Sequence, residues 1–117
     1  MRDMFFGAKM ESLDLNSFNT SNVTSLFGTF QDCTNLKELK VDNWNTSKVT
    51  EMGEQLGYYS YGGTFQNCSS LVELNISTWD TSNVIGMGRM FDRCVNLDQL
   101  DVSNFNTSNV KLSLIHI

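Results

Sequence analysis

The side chains able to do chemistry are few and regularly placed: Cys33, Cys68 and Cys94 each follow a phenylalanine by three residues, and acidic residues recur beside short runs of leucine. Thiols invite a disulfide or a metal. A zinc site needs about four converging ligands, commonly with C-x-x-C pairs, and this chain has three cysteines and no such pair. One cysteine per stacked unit would put neighbouring Cβ atoms about 4.8 Å apart with parallel vectors, whereas a disulfide wants them about 3.8 Å apart and converging. A ladder of buried free thiols is therefore expected. The only histidine, His116, is a poor candidate for a Ser-His-Asp set. There is no H-E-x-x-H, and Gly62-Gly63-Thr64 lacks the lysine of a phosphate loop. Acids on successive units, such as Glu38 and Glu73, would stand about 4.8 Å apart by sheet spacing, close to the roughly 5 Å of a retaining glycosidase. A flat ladder offers no cleft to hold and distort a sugar, so a carbohydrate-active enzyme is only a remote alternative. No catalytic residue, cofactor or metal is expected.

What positions these residues is repetition. The hexapeptide Phe18-Asn19-Thr20-Ser21-Asn22-Val23 returns almost unchanged at Trp44–Val49, Trp79–Val84 and Phe105–Val110. Upstream of each copy lies L-x-x-L-x-[LVI], as in Leu36/Leu39/Val41 and Leu97/Leu100/Val102. Self-similarity at such a period means stacked supersecondary units. The leucines at 13, 39, 74 and 100 are 26, 35 and 26 residues apart, so the middle unit carries an insertion at 54–63.

Within a unit, alternation in the leucine frame predicts a short strand, pairing in parallel with its neighbours. The Asn/Asp-Thr-Ser run predicts a turn whose hydroxyls satisfy backbone groups. Val23, Leu26 and Phe30, and again Val84, Met87 and Phe91, fall at i, i+3, i+7, which predicts a short helix. The aromatic column Phe18, Trp44, Trp79, Phe105 reads as packing in preference to a sugar platform.

A formal charge of −5 and a pI near 4.6, with eight scattered Lys and Arg, argue against nucleic acid, which calls for a basic stripe. No run of eighteen apolar residues spans a membrane, and the first ten residues lack the apolar stretch of a signal peptide. Both ends read as cut. Residues 4–13 look like the second half of a repeat without a polar cap, and repeat logic stops at Lys111. Residues 112–117 resemble translated sequencing-adapter DNA, the alternative being an apolar terminal strand. The domain reading is a repeat fragment over 1–111 followed by a tail over 112–117. With two uncapped ends it is not expected to run as a monodisperse monomer.

The run from Leu97 to Val110, Leu-Asp-Gln-Leu-Asp-Val-Ser-Asn-Phe-Asn-Thr-Ser-Asn-Val, closely resembles the repeat text MFxxCxxLxxLDLSxFDTSNVTxM of the BspA-like leucine-rich-repeat surface proteins of bacteria. The similarity covers about residues 4–110. It implies a right-handed leucine-rich-repeat solenoid of about four coils, α/β in class, with one short parallel strand and a short helical segment per coil. It also implies cell-surface or secreted localisation in the parent protein, and adhesion in some members.

Two surfaces are candidates for binding. The inserted loop holds all three tyrosines, Tyr58, Tyr59 and Tyr61, amid Gly and Ser, a composition that binding loops favour. The outward columns of the strands, Glu38, Glu73, Gln99 and beside them Lys40, Asn75, Asp101, form the second, since extended strand faces are the usual binding surface of repeat arrays. The expected function is a non-enzymatic interaction module that engages a protein or glycan on a host or neighbouring cell. The alternative is a structural spacer within a larger surface protein.

Overall fold

A computed structural model describes residues 1–55 and 62–110. Each repeat places one strand at its leucine frame: β1 (Ser12–Asp14), β2 (Glu38–Lys40), β3 (Glu73–Leu74) and β4 (Gln99–Leu100). Alternation sets the faces, so Leu39 points inward while Glu38 and Lys40 point to solvent. β1 and β2 pair in parallel with Leu13 opposite Leu39, and β3 and β4 do so with Leu74 opposite Leu100. These are two separate two-stranded sheets; β2 and β3 are not a hydrogen-bonded pair. On another side of the same repeats, single bridges link Ser25 to Glu51 and Glu51 to Gly86. The junction between the second and third repeats is thus tied there and open at the strands.

Two aromatic columns fill the interior. Phe5, Phe30, Phe65 and Phe91 stack with ring centroids 5.6, 5.6 and 5.8 Å apart and nearly parallel. Trp44 and Trp79 stack beside them at 6.0 Å. Each such pair adds about 0.5–1.5 kcal/mol beyond its buried area. Burial of an indole requires a partner for its N–H, and the preceding repeat supplies one: Trp44 donates to the carbonyl of Leu15 at 2.9 Å and Trp79 to that of Val41 at 3.0 Å.

The expected helical segment is absent, which corrects the reading of the fold as an α/β leucine-rich-repeat solenoid. Among the described residues there is no helix; regular structure is limited to the four strands, in a body measuring 33 × 26 × 25 Å. Backbone hydrogen bonding explains the outcome. A helix needs each N–H to reach the carbonyl four residues back, but the amides of Leu26, Phe30 and Asp32 donate to Glu51, Thr64 and Gln66 of the next repeat. Between these, Val23, Thr29, Cys33 and Leu36 each close a single turn on the carbonyl three residues back. Left-handed residues also break any helix: Asp32, Asn67 and Arg93 follow the stacked phenylalanines by two residues, with φ of 61°, 60° and 63°. Successive three-residue turns mimic the i, i+3, i+7 spacing.

The insertion leaves and rejoins the repeat at one point. Gly53 and Gly63 form an antiparallel bridge, and Thr64 donates its amide to Met52, as Thr29 does to Leu26 in the preceding repeat. Glycine is required on both sides, because a Cβ on Gly53 would collide with the carbonyl of Gly88 and one on Gly63 with that of Arg89. Glu54 fixes the root of the loop through an ion pair with Arg89 at 2.9 Å and an acceptor contact to the amide of Gly62.

Candidate binding face

The proposed strand-face residues Glu38, Lys40, Glu73, Asn75, Gln99 and Asp101 are all exposed. Glu73 lies directly opposite Gln99 in the β3–β4 ladder. Glu38 and Glu73 belong to strands that are not ladder partners, so the regular sheet spacing that would pair two acids does not apply to them. Two shallow depressions run over this face. One, of about 430 Å³, lies over the β2–β3 gap and is lined by Lys37, Glu38, Lys40, Asp42, Val72, Glu73 and Asn75, with Leu39 at its floor. The other, of about 440 Å³, lies between β3 and β4, where Glu73 and Asn75 recur beside Asp98, Gln99 and Asp101. The shared residues make them one groove. Its charge is graded: Lys37 and Lys40 are balanced by Glu38 and Asp42 at the β2 end, whereas only acids, Glu73, Asp98 and Asp101, line it toward β4.

The Ser103 hydroxyl and the Ser103 amide, which lies 2.9 Å from Oδ1, hold the Asp101 carboxyl below its ordinary range. Asp101 is therefore a fixed negative charge at neutral pH. Lys37, Asp42, Val72 and Asp98 complete the groove and were not among the expected residues. Lys37, Val72 and Asp98 hold one register position, immediately after Leu36, Leu71 and Leu97, so the repeat alignment carried a signal for them. Tyr58, Tyr59 and Tyr61 lie outside the described residues, as does the tail over 112–117.

The remaining chemistry-bearing side chains serve packing. Cys33, Cys68 and Cys94 are buried and free. Each thiol donates to the carbonyl of the stacked phenylalanine one repeat earlier, Phe5, Phe30 and Phe65, at 3.0–3.1 Å. Desolvation raises all three thiol pKa values, that of Cys94 to about 11. Reactive cysteines need the opposite shift. Thr20, Thr46 and Thr81 are buried, and each clamps the next repeat from both directions. The Thr46 hydroxyl donates to the carbonyl of Asp80 at 3.0 Å and accepts its amide at 2.8 Å, and Thr20 and Thr81 do the same with Asn45 and Asn106. Trp44 and Trp79 are buried, whereas Phe18 at the end of that column is 38% exposed.

Repeats locked in register by side-chain and backbone bonds, with an open polar strand face, define a turn-rich tandem-repeat protein. The chain belongs to the family described as "Mycoplasma protein of unknown function, DUF285", whose model matches it twice, over residues 1–60 and 59–113. No curated protein and no solved structure matches the chain.

Proposed function

We propose that this chain is a non-enzymatic interaction module from a bacterial surface protein of the BspA-like repeat group. In this reading the parent is exported to the cell envelope, and the module engages a protein or glycan on a host or neighbouring cell. The strand face is the main contact and the Tyr58–Tyr59–Tyr61 loop a second one. The observation that carries the reading is the division of labour among the side chains. Thiols, threonines and indoles are committed to holding repeats together, while one groove of exposed charged and polar residues crosses β2, β3 and β4.

The experiment is binding of the full chain to immobilised matrix proteins and to a glycan array. The intact chain is compared with Glu73→Lys and with the triple substitution of Tyr58, Tyr59 and Tyr61 by Ser. Capture weakened by either variant supports the reading, and capture indifferent to both removes it.

A spacer role is the second reading. It draws on the exposed amides of Asn83, Asn104 and Asn109, each of which donates at 2.7 Å to a carbonyl of the preceding repeat and so stiffens the stack. Absence of capture on every surface, with the fold intact, favours the spacer.

A further inference from the structure

We propose that the groove over β2, β3 and β4 receives an extended basic peptide segment of a partner protein, with a lysine or arginine side chain seated among Glu73, Asp98 and Asp101. This rests on the interaction-module reading and names its partner. The opening is local. Trp79 Nε1 still bonds Val41, Thr78 Oγ1 bonds the carbonyl of Asp42 at 2.8 Å and Ser70 Oγ that of Thr34 at 2.6 Å, so the same two repeats are joined on either side of the β2–β3 gap. A strand-to-strand gap within a continuous stack leaves a depression that the fold itself does not fill.

The charge is unspent. Along the groove Lys37 and Lys40 face Glu38, Asp42, Glu73, Asp98 and Asp101, an acidic excess, and no ion pair among the described residues involves any of them. Beside the acids, Val72 is 48% exposed, an apolar surface next to the charged one. A lysine or arginine matches that pair, with its aliphatic stem on Val72 and its charged head in solvent beside carboxylates. β3 and β4 are ladder partners about 4.8 Å apart and β2 lies beyond them across the unpaired gap, so a segment laid over all three covers several extended residues at about 3.3 Å each.

The test is an NMR titration of the isotope-labelled full chain with the acetylated, amidated peptide Ala-Lys-Val-Lys-Ala and with its counterpart carrying Glu for Lys. The expected result is saturable shifts with the lysine peptide at amides within 37–42, 72–77 and 98–101, and none there with the glutamate peptide. Asp98→Lys combined with Asp101→Lys weakens the lysine peptide by about fivefold or more, the scale of losing exposed ion pairs. All these positions are exposed, and Glu73→Gln gives a milder second variant that keeps shape while removing charge. Equal response to both peptides, no groove response to either, or affinity unchanged in the charge variants overturns the proposal. If the chain captures a matrix protein or glycan while ignoring the lysine peptide, the basic-peptide assignment falls and the interaction module stands. If the peptide binds but no surface ligand is captured, the groove stands and the adhesive role falls.

Discussion

Trp79 lies flat over Trp44, with ring centroids 6.0 Å apart and planes within 2°, while its indole N–H reaches across to the carbonyl of Val41. One side chain thus joins two repeats by area and by a hydrogen bond. Both terms act at the junction where the strands themselves are unpaired, beside the Glu51–Gly86 bridge and the Thr46–Asp80 clamp.

Replacing Trp79 by Phe keeps a ring and removes the donor. The carbonyl of Val41 then loses that donor but keeps the amide of Trp44 at 3.1 Å, so the cost is that of one hydrogen bond, about 0.5–1.5 kcal/mol. Trp79→Ala adds a cavity and costs about 3–5 kcal/mol. Urea unfolding monitored by circular dichroism checks both, and the midpoint should fall further for Ala than for Phe.

Thr46→Val is close to isosteric but has no hydroxyl. It strips the amide and carbonyl of Asp80 of their shared partner inside a site only 2% exposed. A loss of about 1–3 kcal/mol is expected, and Thr46→Ser should recover most of it. Equal midpoints for Val and Ser would show that the clamp contributes nothing.

The native thiols should resist alkylation near neutral pH, with modification at the pace of unfolding. Desolvation raises Cys94 from its ordinary 9.0 to about 11 and shifts Cys68 and Cys33 the same way. The folded chain therefore keeps protons that the unfolded chain releases. This contribution to stability is whole below about pH 9 and declines as pH rises from there toward 11. Unfolding midpoints measured from pH 7 to 11 should drop in that window, and less so in Cys94→Ala.

Deleting residues 54–62 joins Gly53 to Gly63 and leaves two residues between Met52 and Thr64, the same number that Phe27 and Gly28 supply between Leu26 and Thr29. The shortened chain should fold with the parent circular dichroism spectrum. Its stability should fall by about 1–3 kcal/mol, because loop-closure entropy varies slowly with length while the two Glu54–Gly88 backbone bonds and the Glu54–Arg89 ion pair are lost. Loss of cooperative unfolding would show that the insertion is part of the core.

Strand positions were legible because Leu13, Leu39, Leu74 and Leu100 stand in one alternating frame, and a period of two has few other causes. The helix was not. Val23, Leu26 and Phe30 face inward at helical spacing because successive tight turns advance about three residues each, while the amides of Leu26 and Phe30 serve the neighbouring repeat. Such long-range partners leave no mark on local periodicity. The β2–β3 gap was equally hidden, since Glu38-Leu39 and Glu73-Leu74 read alike and yet only the partners on their outer sides are hydrogen-bonded. More than half of the groove's polar residues, Glu38, Lys40, Glu73, Asn75, Gln99 and Asp101, were visible as outward columns. Lys37, Val72 and Asp98 escaped because that position changes character in every unit.

The threonine clamp has an evolutionary corollary. Thr20, Thr46 and Thr81 grip the main chain of Asn45, Asp80 and Asn106 alike, so the fit between one unit and its successor is indifferent to which side chain the successor presents. At this one contact any unit fits any other, so recombination that duplicates or deletes whole units carries the threonine fastening to each new join.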